Sequence, residues 1–312
     1  MPAEYQPKPI PLITWRNMAP PTASHCFFKD SRGFPFETET DLFSLVNAWW
    51  LSEASLLAYS EEVTARTWFE KAGFHRVWFF SGRSTQCYVA DARQWAVLAF
   101  RGTECRPDQG PEAWGQFIAD LSADLDIRWV AAAGRGRIHR GFRDALDEVW
   151  PDVCACVEEL IAGARTLWVT GHSLGGALAL LAAVRINKVQ GVYTFGAPRI
   201  GDREFAAVYP ARAFRMVNNN DAVPHLPPFP YADLGELRYI DCAGTLHAEI
   251  SRRARWMDEV QGHIRCLVEN LRHLTRDPAA TLPDGLKDHA PLLYALHLWN
   301  NLAQAVSLGP SP

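Results

Sequence analysis

Residues 167–180 read LWVTGHSLGGALAL, and this stretch decides the fold. An apolar run leads into Gly-x-Ser-x-Gly at residues 171–175, and an Ala- and Leu-rich run follows it. This order predicts a strand, a sharp turn and a helix, which is the setting that a nucleophile elbow requires. The two glycines would leave room for the turn and for close packing of the strand against the helix. The sequence therefore predicts that Ser173 is a nucleophile facing the N-terminal amides of a helix.

The composition is that of a folded globular protein. The chain has 312 residues, of which 48% are hydrophobic and 21% charged, and a formal net charge of −4. This charge gives no reason to expect nucleic acid as a partner. Because no run of about 18 apolar residues is present, we expect no membrane-spanning helix.

The chain start and the cysteines bear on location. Residues 1–11 contain no continuous apolar segment, so no signal peptide is predicted. The seven cysteines are odd in number and lack the spacing of metal ligands. Reduced thiols and a cytoplasmic location are therefore expected, while export by another route or a missing signal segment stays open.

The order of predicted elements indicates the architecture. Pro-rich residues 1–40 are predicted to form a surface segment, and residues 41–312 a single domain that begins with a helix at 41–60, capped by Thr40 or Asp41. After a three-stranded meander, predicted helices alternate with predicted strands, which indicates a mostly parallel sheet with helices on both faces. The predicted strands are residues 76–81, 86–91, 95–100, 167–170, 191–195, 213–218 and 237–240, and the later helices are residues 143–162, 176–186, 205–209, 246–275 and 290–308.

Residues 246–275 have apolar residues at helical spacing together with several Arg and His residues. We interpret this segment as a helix that covers the core with its apolar face and turns a basic face to solvent. An interaction surface is the alternative interpretation. The apolar positions are Ile250, Ala254, Met257, Val260, Ile264, Leu267, Val268 and Leu271.

A serine hydroxyl needs a base, and the base is held by a carboxylate. In hydrolases built on such an elbow the chain order is serine, acid, histidine, so both partners are sought after residue 173. Asp221 directly follows the predicted strand at 213–218, which makes it the preferred acid. Asp202 is the runner-up, and the other candidates are Asp233, Glu236 and Asp241.

Six histidines follow Asp221. His289 is preferred because it stands where a loop enters the last predicted helix, a position suited to reaching the edge of a sheet. His297, two turns deeper, and His247, before the long helix, stay open as alternatives. The remaining three are less suited, since one is too close to Asp221 and two lie within the long helix: His225, His263 and His273.

An oxyanion hole requires two donors. One is the backbone N–H of Leu174, the residue after the nucleophile. The loop after the predicted strand at 95–100 supplies a second candidate, Thr103, through its N–H and its hydroxyl. This chemistry calls for neither a metal nor an organic cofactor.

With these residues in hand, the chain resembles the class 3 (fungal-type) lipases of the α/β-hydrolase superfamily. The resemblance implies an α/β-hydrolase fold, with a mostly parallel central sheet, helices on both faces and a short helical lid. The matching blocks are VLAFRGT at 97–103, IHRGF at 138–142, GHSLGGALA at 171–179, YTFGAPRIGD at 193–202 and NDAVP at 220–224.

The resemblance also implies site residues. It favours Asp221 over Asp202 as the acid, and Thr103 as an oxyanion donor. The stretch DHAPLLY at 288–294 resembles one setting of the family's histidine, whereas HLW at 297–299 resembles another, so the choice between His289 and His297 stays open.

The implied activity is that of a serine carboxylester hydrolase, a lipase or carboxylesterase that acts through an acyl-enzyme. Its partners would be an ester or lipid substrate and, transiently, a lipid interface; the oligomeric state is left open. Phospholipase A1 and feruloyl-type esterase are alternatives with the same machinery. A non-catalytic binding protein is disfavoured because every catalytic position holds a suitable residue.

A lid is expected at residues 104–119. Trp114, Phe117, Ile118 and Leu121 recur at helical spacing and form one apolar stripe. In the resembled family this region covers the nucleophile, which predicts a lid that opens at a lipid surface. A helix simply docked on the core is the alternative. The apolar loop at 223–231 is a candidate second wall of an acyl pocket.

Overall fold

The computed structural model of the chain describes residues 5–14, 17–18, 24–103, 129–132, 134–274 and 282–307, with only the backbone described for residues 272–274. The lid predicted at residues 104–119 lies outside these ranges. Within them, the described part of residues 1–40 forms neither helix nor strand, yet Phe27, Phe28 and Phe34 are buried against the core. The proposed division at residue 40 stays a prediction.

The strands form two sheets. In chain order they are β1 (Arg76–Ser81), β2 (Gln86–Asp91), β3 (Trp95–Phe100), β4 (Trp129–Ala131), β5 (Arg137–His139), β6 (Thr166–His172), β7 (Gly191–Phe195), β8 (Gly201–Asp202), β9 (Ala213–Asn218), β10 (Tyr231–Ala232), β11 (Glu236–Ile240) and β12 (Leu246–His247). The central sheet has the order β1-β2-β3-β6-β7-β9-β11-β12, and a small sheet has the order β10-β8-β5-β4.

The helices lie between and around these strands. In chain order they are α1 (Leu45–Leu57), α2 (Glu62–Lys71), α3 (Arg140–Asp147), α4 (Trp150–Ala162), α5 (Leu174–Arg185), α6 (Arg203–Ala207), α7 (Arg252–Leu274), α8 (Asp284–Lys287) and α9 (Pro291–Ser307). Among the helices of the described ranges, none is both long and apolar enough to cross a membrane.

The middle of the central sheet is parallel. Strands β3, β6, β7, β9 and β11 pair in parallel, and antiparallel strands complete both edges. Every residue of β3, β7 and β9 is buried, as expected where helices cover both faces. The mostly parallel sheet expected from the alternation of elements is therefore confirmed.

Successive side chains along each strand point to opposite faces of the central sheet, and each face packs against its own apolar layer. On β3, Val97 and Ala99 face a layer that contains α1 and α9, whereas Ala96 and Leu98 face a layer that contains α3, α4 and α5. The first layer is rich in aromatic residues, which include Trp49, Trp168 and Trp299 at most 1% exposed. The sheet is thus fixed between two cores.

Some predicted helix limits were wrong. Helix α1 begins after Ser44, whose side chain accepts a hydrogen bond of 3.1 Å from the N–H of Asn47, and not after Thr40 or Asp41. The segment predicted as one helix at 143–162 is two helices, α3 and α4, because Pro151 occupies the first turn of α4. Proline is tolerated there but not in a helix interior. Helix α2 was not predicted.

The long helix α7 is turned the opposite way from the prediction. Its apolar side chains are exposed, among them Ile264 at 58% and Leu267 at 60%, while Asp258, Gly262 and Cys266 point inward. The physical reason is a set of polar contacts on the inner side. The carboxylate of Asp258 accepts hydrogen bonds from the Tyr239 hydroxyl, the Cys242 N–H and the Asn219 amide at 2.9, 3.1 and 2.6 Å.

Candidate active site

The turn after β6 holds Ser173 in an unusual backbone conformation. Its φ is 56° and its ψ is −130°, between the end of β6 and the start of α5. The N–H of Ser173 donates to the carbonyl of Phe195 at 2.9 Å. A Cβ at Gly171 would stand 2.7 Å from the N of Gly176, so the turn needs glycine there. The strand–turn–helix setting expected for residues 167–180 is present.

Three side chains from separate segments meet at this turn. The Nε2 atom of His289 lies 2.9 Å from the Oγ atom of Ser173, and its Nδ1 atom lies 2.9 Å from both carboxylate oxygens of Asp221. All three residues are buried. Asp221 follows the end of β9, and His289 stands just before α9. The structure therefore brings together the serine, acid and histidine that the sequence favoured.

The carboxylate of Asp221 has further donors. The hydroxyl of Tyr294 donates to Oδ2 at 2.6 Å, and the N–H of Val223 donates to Oδ1 at 2.9 Å. Burial and the nearby carboxylate raise the pKa of Tyr294 well above its usual value, so the hydroxyl keeps its proton and remains a donor. It also accepts from the N–H of Asn218 at 3.1 Å. These contacts orient the carboxylate of Asp221 toward His289.

Tyr294 had no predicted role of its own. Its signal was present in the DHAPLLY stretch at 288–294, where the tyrosine follows His289 by five residues. Helix α9 carries Tyr294 on its buried side, and this places the hydroxyl against Asp221. One short segment thus supplies both the histidine and a donor to the acid.

His172, the residue before the nucleophile, was also missed. Its Nε2 atom lies 2.7 Å from the carbonyl oxygen of His289, and its Nδ1 atom lies 2.8 Å from the hydroxyl of Tyr59. Burial lowers the pKa of His172 well below its usual value, so the ring is neutral. Since a carbonyl only accepts, Nε2 carries the proton and Nδ1 accepts from Tyr59. His172 thus holds the backbone of His289 in place.

The loops beside the site are fixed by close contacts. Gly196 has a φ of +59°, and a Cβ there would lie 2.6 Å from Oδ2 of Asp221 and 2.9 Å from Nδ1 of His289. The amide side chain of Asn218 donates to the carbonyl of Asp288 at 2.9 Å. The segment before His289 is therefore tied to the end of β9, which carries Asp221.

Two candidate oxyanion donors lie at this edge. The end of β3 pairs with Gly171, and a Cβ at Gly102 would stand 2.7 Å from the carbonyl oxygen of His172, so the loop to Thr103 runs beside the elbow. The Thr103 hydroxyl is buried and has no hydrogen-bond partner among the described residues. The N–H of Leu174 belongs to the first turn of α5, where amides lack acceptors within the helix.

The other acids predicted as candidates have structural partners. Asp202 caps α6 by accepting from the N–H of Phe205 at 3.0 Å, and it also accepts from Arg137 at 3.1 Å. It is therefore a helix cap at the small sheet. The remaining three acids pair with neighbouring cationic side chains or histidine: Asp233 with Arg199 and Arg215, Glu236 with Arg212 and Arg238, and Asp241 with His247.

The alternative histidines also lie elsewhere. His297 packs against Gly244, and burial lowers its pKa to about 4. The side chain of His273 is not described. The others have partners of their own: His225 with Arg255, His247 with Asp241 and His263 with Asp284. His289, not His297, is the histidine within hydrogen-bond distance of Ser173.

The arrangement matches the chemistry of acyl transfer. A hydroxyl, an imidazole and a carboxylate form one hydrogen-bonded series beside two candidate oxyanion donors. In the part of the chain that the structure covers, no group of three or more His, Cys, Asp or Glu residues could hold a metal ion. Val223 and Pro224 of the apolar loop are buried near Asp221, and its role as a pocket wall stays a prediction.

Part of the chain matches a known protein family. Residues 97–231 match the family described as Lipase (class 3). This range contains Thr103, Ser173 and Asp221, whereas His289 lies beyond it. This match confirms the resemblance to class 3 lipases over these residues, and the similarity to a solved lipase structure confirms the α/β-hydrolase fold.

Two curated proteins and one solved structure show the extent of the similarity. A lipase of Rhizomucor miehei is 35% identical over 165 residues, covering 48% of this chain and 43% of its own length. Phospholipase A1-II 2 of Oryza sativa subsp. indica is 28% identical over 218 residues, covering 51% of each chain. The structure of Rhizomucor miehei triacylglyceride lipase has a TM-score of 0.50 and 27% identity, covering 62% of this chain and 78% of its own. This chain spans about half the length of the curated relatives.

Proposed function

We propose that this protein is a serine carboxylester hydrolase, a lipase or carboxylesterase, because residues 97–231 match class 3 lipases and contain Ser173 and Asp221, which His289 joins through hydrogen bonds. One observation carries the proposal. The Nε2 atom of His289 lies 2.9 Å from the Ser173 hydroxyl, while the other ring nitrogen lies 2.9 Å from Asp221. A serine nucleophile requires a base oriented in this way, whereas a serine with only a structural role does not.

The reaction follows from these contacts. The Oγ atom of Ser173 attacks the ester carbonyl carbon while Nε2 of His289 accepts the hydroxyl proton. The negative charge on Asp221 stabilises the imidazolium that forms. When the C–O bond to the alcohol breaks, His289 returns the proton to the leaving oxygen, and an acyl-Ser173 ester remains. A water molecule then attacks this ester by the same proton transfers and releases the acid.

The tetrahedral intermediates carry charge on the former carbonyl oxygen. The N–H of Leu174 and the N–H and hydroxyl of Thr103 are the groups that we assign to stabilise it. Leu174 begins α5 and Thr103 lies in the loop after β3, which runs beside the elbow, so the two candidate donors come from segments that meet at Ser173. Tyr294 and His172 act as positioning residues, the first through Asp221 and the second through the backbone of His289.

The replacement of Ser173 by alanine tests the proposal. We expect Ser173→Ala to fold and to lose about 10⁴-fold or more of its hydrolysis of p-nitrophenyl butyrate, because the attacking oxygen is gone. Ser81→Ala, at the exposed end of β1, is a matched control that should keep full activity. A fluorophosphonate probe should label the wild type and the control but not Ser173→Ala. Full activity in Ser173→Ala would overturn the assignment.

A phospholipase A1 activity is the second candidate, supported by the similarity to the Oryza sativa protein. The catalytic groups are the same for both activities, so the choice depends on how the site accepts the rest of the lipid. Hydrolysis rates for emulsified triacylglycerol, phosphatidylcholine and methyl ferulate would separate lipase, phospholipase and feruloyl-type esterase. We propose contact with a lipid interface in either of the first two cases.

A further inference from the structure

Helix α7 presents a continuous apolar row to solvent. Exposed apolar residues are common one at a time, but a contiguous patch indicates an interaction surface. The row follows helical spacing from Trp256 to Leu271, a distance of about 22 Å at the helical rise of about 1.5 Å per residue. Its members, between 38% and 63% exposed, are Trp256, Met257, Val260, Ile264, Leu267, Val268 and Leu271.

Contacts on the inner side keep this row outward. Asp258 binds Tyr239, Cys242 and Asn219. One turn later, a Cβ at Gly262 would stand 2.6 Å from the side-chain nitrogen of Asn220, so this part of the helix lies directly on the loop below. The helix cannot rotate to bury its apolar row without breaking these contacts. The exposure is therefore a property of the fold.

The charges beside the row are positive. The acidic side chains of α7 are engaged: Asp258 points inward, Glu259 pairs with Arg255 at 2.7 Å, and Glu269 pairs with Lys287. Exposed cationic side chains lie at its start, namely Arg252 and Arg253, while the exposed Arg265 at its middle donates to the carbonyl oxygen of Cys242 at 3.0 Å. An apolar row flanked by arginines is the pattern of a helix that lies in a lipid–water interface.

The row lies near the candidate active site. The side chain of Asn220 donates to the backbone carbonyl of Glu259 at 2.9 Å, and Asn220 immediately precedes Asp221. Helix α7 is thus attached to the loop that carries the catalytic acid. A surface bound along α7 would meet the protein at the same edge of the sheet as Ser173.

We propose that the exposed row of α7 docks the protein on a lipid–water interface that bears anionic headgroups. Apolar side chains enter the acyl boundary while Arg252 and Arg253 contact the headgroups. The proposal rests on the proposed function for its substrate, but the docking itself requires no turnover. A second copy of the chain is a poorer occupant, since it would bring arginine-flanked rows against each other.

The test measures binding separately from hydrolysis. Sedimentation with vesicles of ether-linked lipids, which an ester hydrolase cannot cleave, compares phosphatidylcholine alone with an equimolar mixture of phosphatidylcholine and phosphatidylglycerol. The variant Ile264→Glu/Leu267→Glu places two charges in the row. Val63→Glu, at a site 78% exposed on α2, is the matched control. Hydrolysis of dissolved p-nitrophenyl butyrate is measured for every variant.

We expect the wild type and Val63→Glu to bind the anionic vesicles equally. The double variant should bind at least about 10-fold more weakly, because each apolar side chain removed from the interface is worth about that factor. Arg252→Gln/Arg253→Gln should lose about 10-fold on anionic vesicles only, and added salt should weaken wild-type binding. Hydrolysis of dissolved ester should stay at the wild-type rate in all of them.

Equal vesicle binding by the wild type and Ile264→Glu/Leu267→Glu would overturn the proposal. The proposal would also be overturned if neither protein bound vesicles while the wild type self-associated and the double variant did not. The row would then be occupied by a second copy of the chain. If the wild type binds vesicles through this row but hydrolyses no ester, the docking stands and the proposed function fails. Loss of docking with full hydrolysis of dissolved ester supports both.

Discussion

Helices α7 and α9 have similar sequence patterns and opposite orientations. Both carry apolar residues at helical spacing, and each is at least 17 residues long. Helix α9 buries its apolar side against α1, with Trp299 only 1% exposed, whereas α7 turns its apolar side to solvent, with Trp256 at 63%. The period of a pattern tells which residues share a face of a helix. It does not tell which face meets the protein.

The deciding contacts are different in kind. Helix α9 packs through apolar and aromatic surface, for example the ring of Trp299 at 5.2 Å from that of Trp49. Helix α7 is held by hydrogen bonds to Asp258 and by the close approach of Gly262 to Asn219 and Asn220. A helix held by polar contacts can keep its apolar residues for another surface. Apolar residues thus pack in the core on α9 and face solvent on α7.

The two tryptophans offer the sharpest test of this difference. We expect Trp299→Ala to lower the free energy of unfolding by about 3–5 kcal/mol, because it leaves a cavity beside α1. Trp256→Ala should change it by less than about 0.5 kcal/mol, as is usual for exposed sites. Urea unfolding monitored by circular dichroism measures both. Similar losses in the two variants would mean that α7 is packed like α9.

Removal of the inner contacts of α7 should have the next largest effect. Asp258→Ala leaves the hydrogen-bond donors of Tyr239, Cys242 and Asn219 without their acceptor, so we expect a loss of about 1–3 kcal/mol in the free energy of unfolding. Asp258→Asn keeps one acceptor oxygen and should lose less. If Asp258→Ala unfolds at the same urea concentration as the wild type, polar contacts do not fix the orientation of α7.

The smallest expected effect concerns pH and the buried side of α9. Burial lowers the pKa of His297 to about 4 in the folded protein, below its value of about 6.5 in an unfolded chain. The unfolded state therefore binds the proton more readily. The contribution of neutral, buried His297 to the free energy of unfolding is fully present above pH 6.5 and is lost as the pH falls toward 4. The slope approaches about 1.4 kcal/mol per pH unit.

His297→Asn removes this titration. The free energy of unfolding of the variant should fall less steeply between pH 6.5 and 4 than that of the wild type, whatever the offset between them at pH 7.5. Urea midpoints at several pH values measure the two slopes. Parallel curves would show that His297 does not contribute to the acid sensitivity of the α9 side.

The central part of the fold could be predicted because its signals are local. Continuous apolar strands such as β3 and β7 indicated a sheet covered on both faces, and the glycines around Ser173 indicated the elbow. Pro151 also signals the break between α3 and α4, because proline is tolerated in the first turn of a helix but not in its interior. The prediction missed this signal because the residues on both sides of Pro151 have a helical pattern. The orientation of α7 could not be read, because it depends on Tyr239 and Asn219, which come from other segments.

The candidate site divides in the same way. Ser173 and Asp221 follow strands directly, so the chain order was enough to select them. Both His289 and His297 lie near the start of the last helix, and only the packing of that helix decides which one reaches Ser173. The positioning roles of Tyr294 and His172 depend on contacts across more than 70 residues of chain. The DHAPLLY stretch marks Tyr294 without showing its partner, and the sequence pattern has no sign of the role of His172.

The backbone at Ser173 has a consequence for protein engineering. A residue with a side chain at φ 56° and ψ −130° costs about 1–3 kcal/mol of folding stability, and glycine would relieve that cost. Glycine would also remove the hydroxyl. Selection of random variants for heat tolerance alone would therefore favour chains that lose the nucleophile. Screens for a more durable form of this protein should score turnover and melting temperature together.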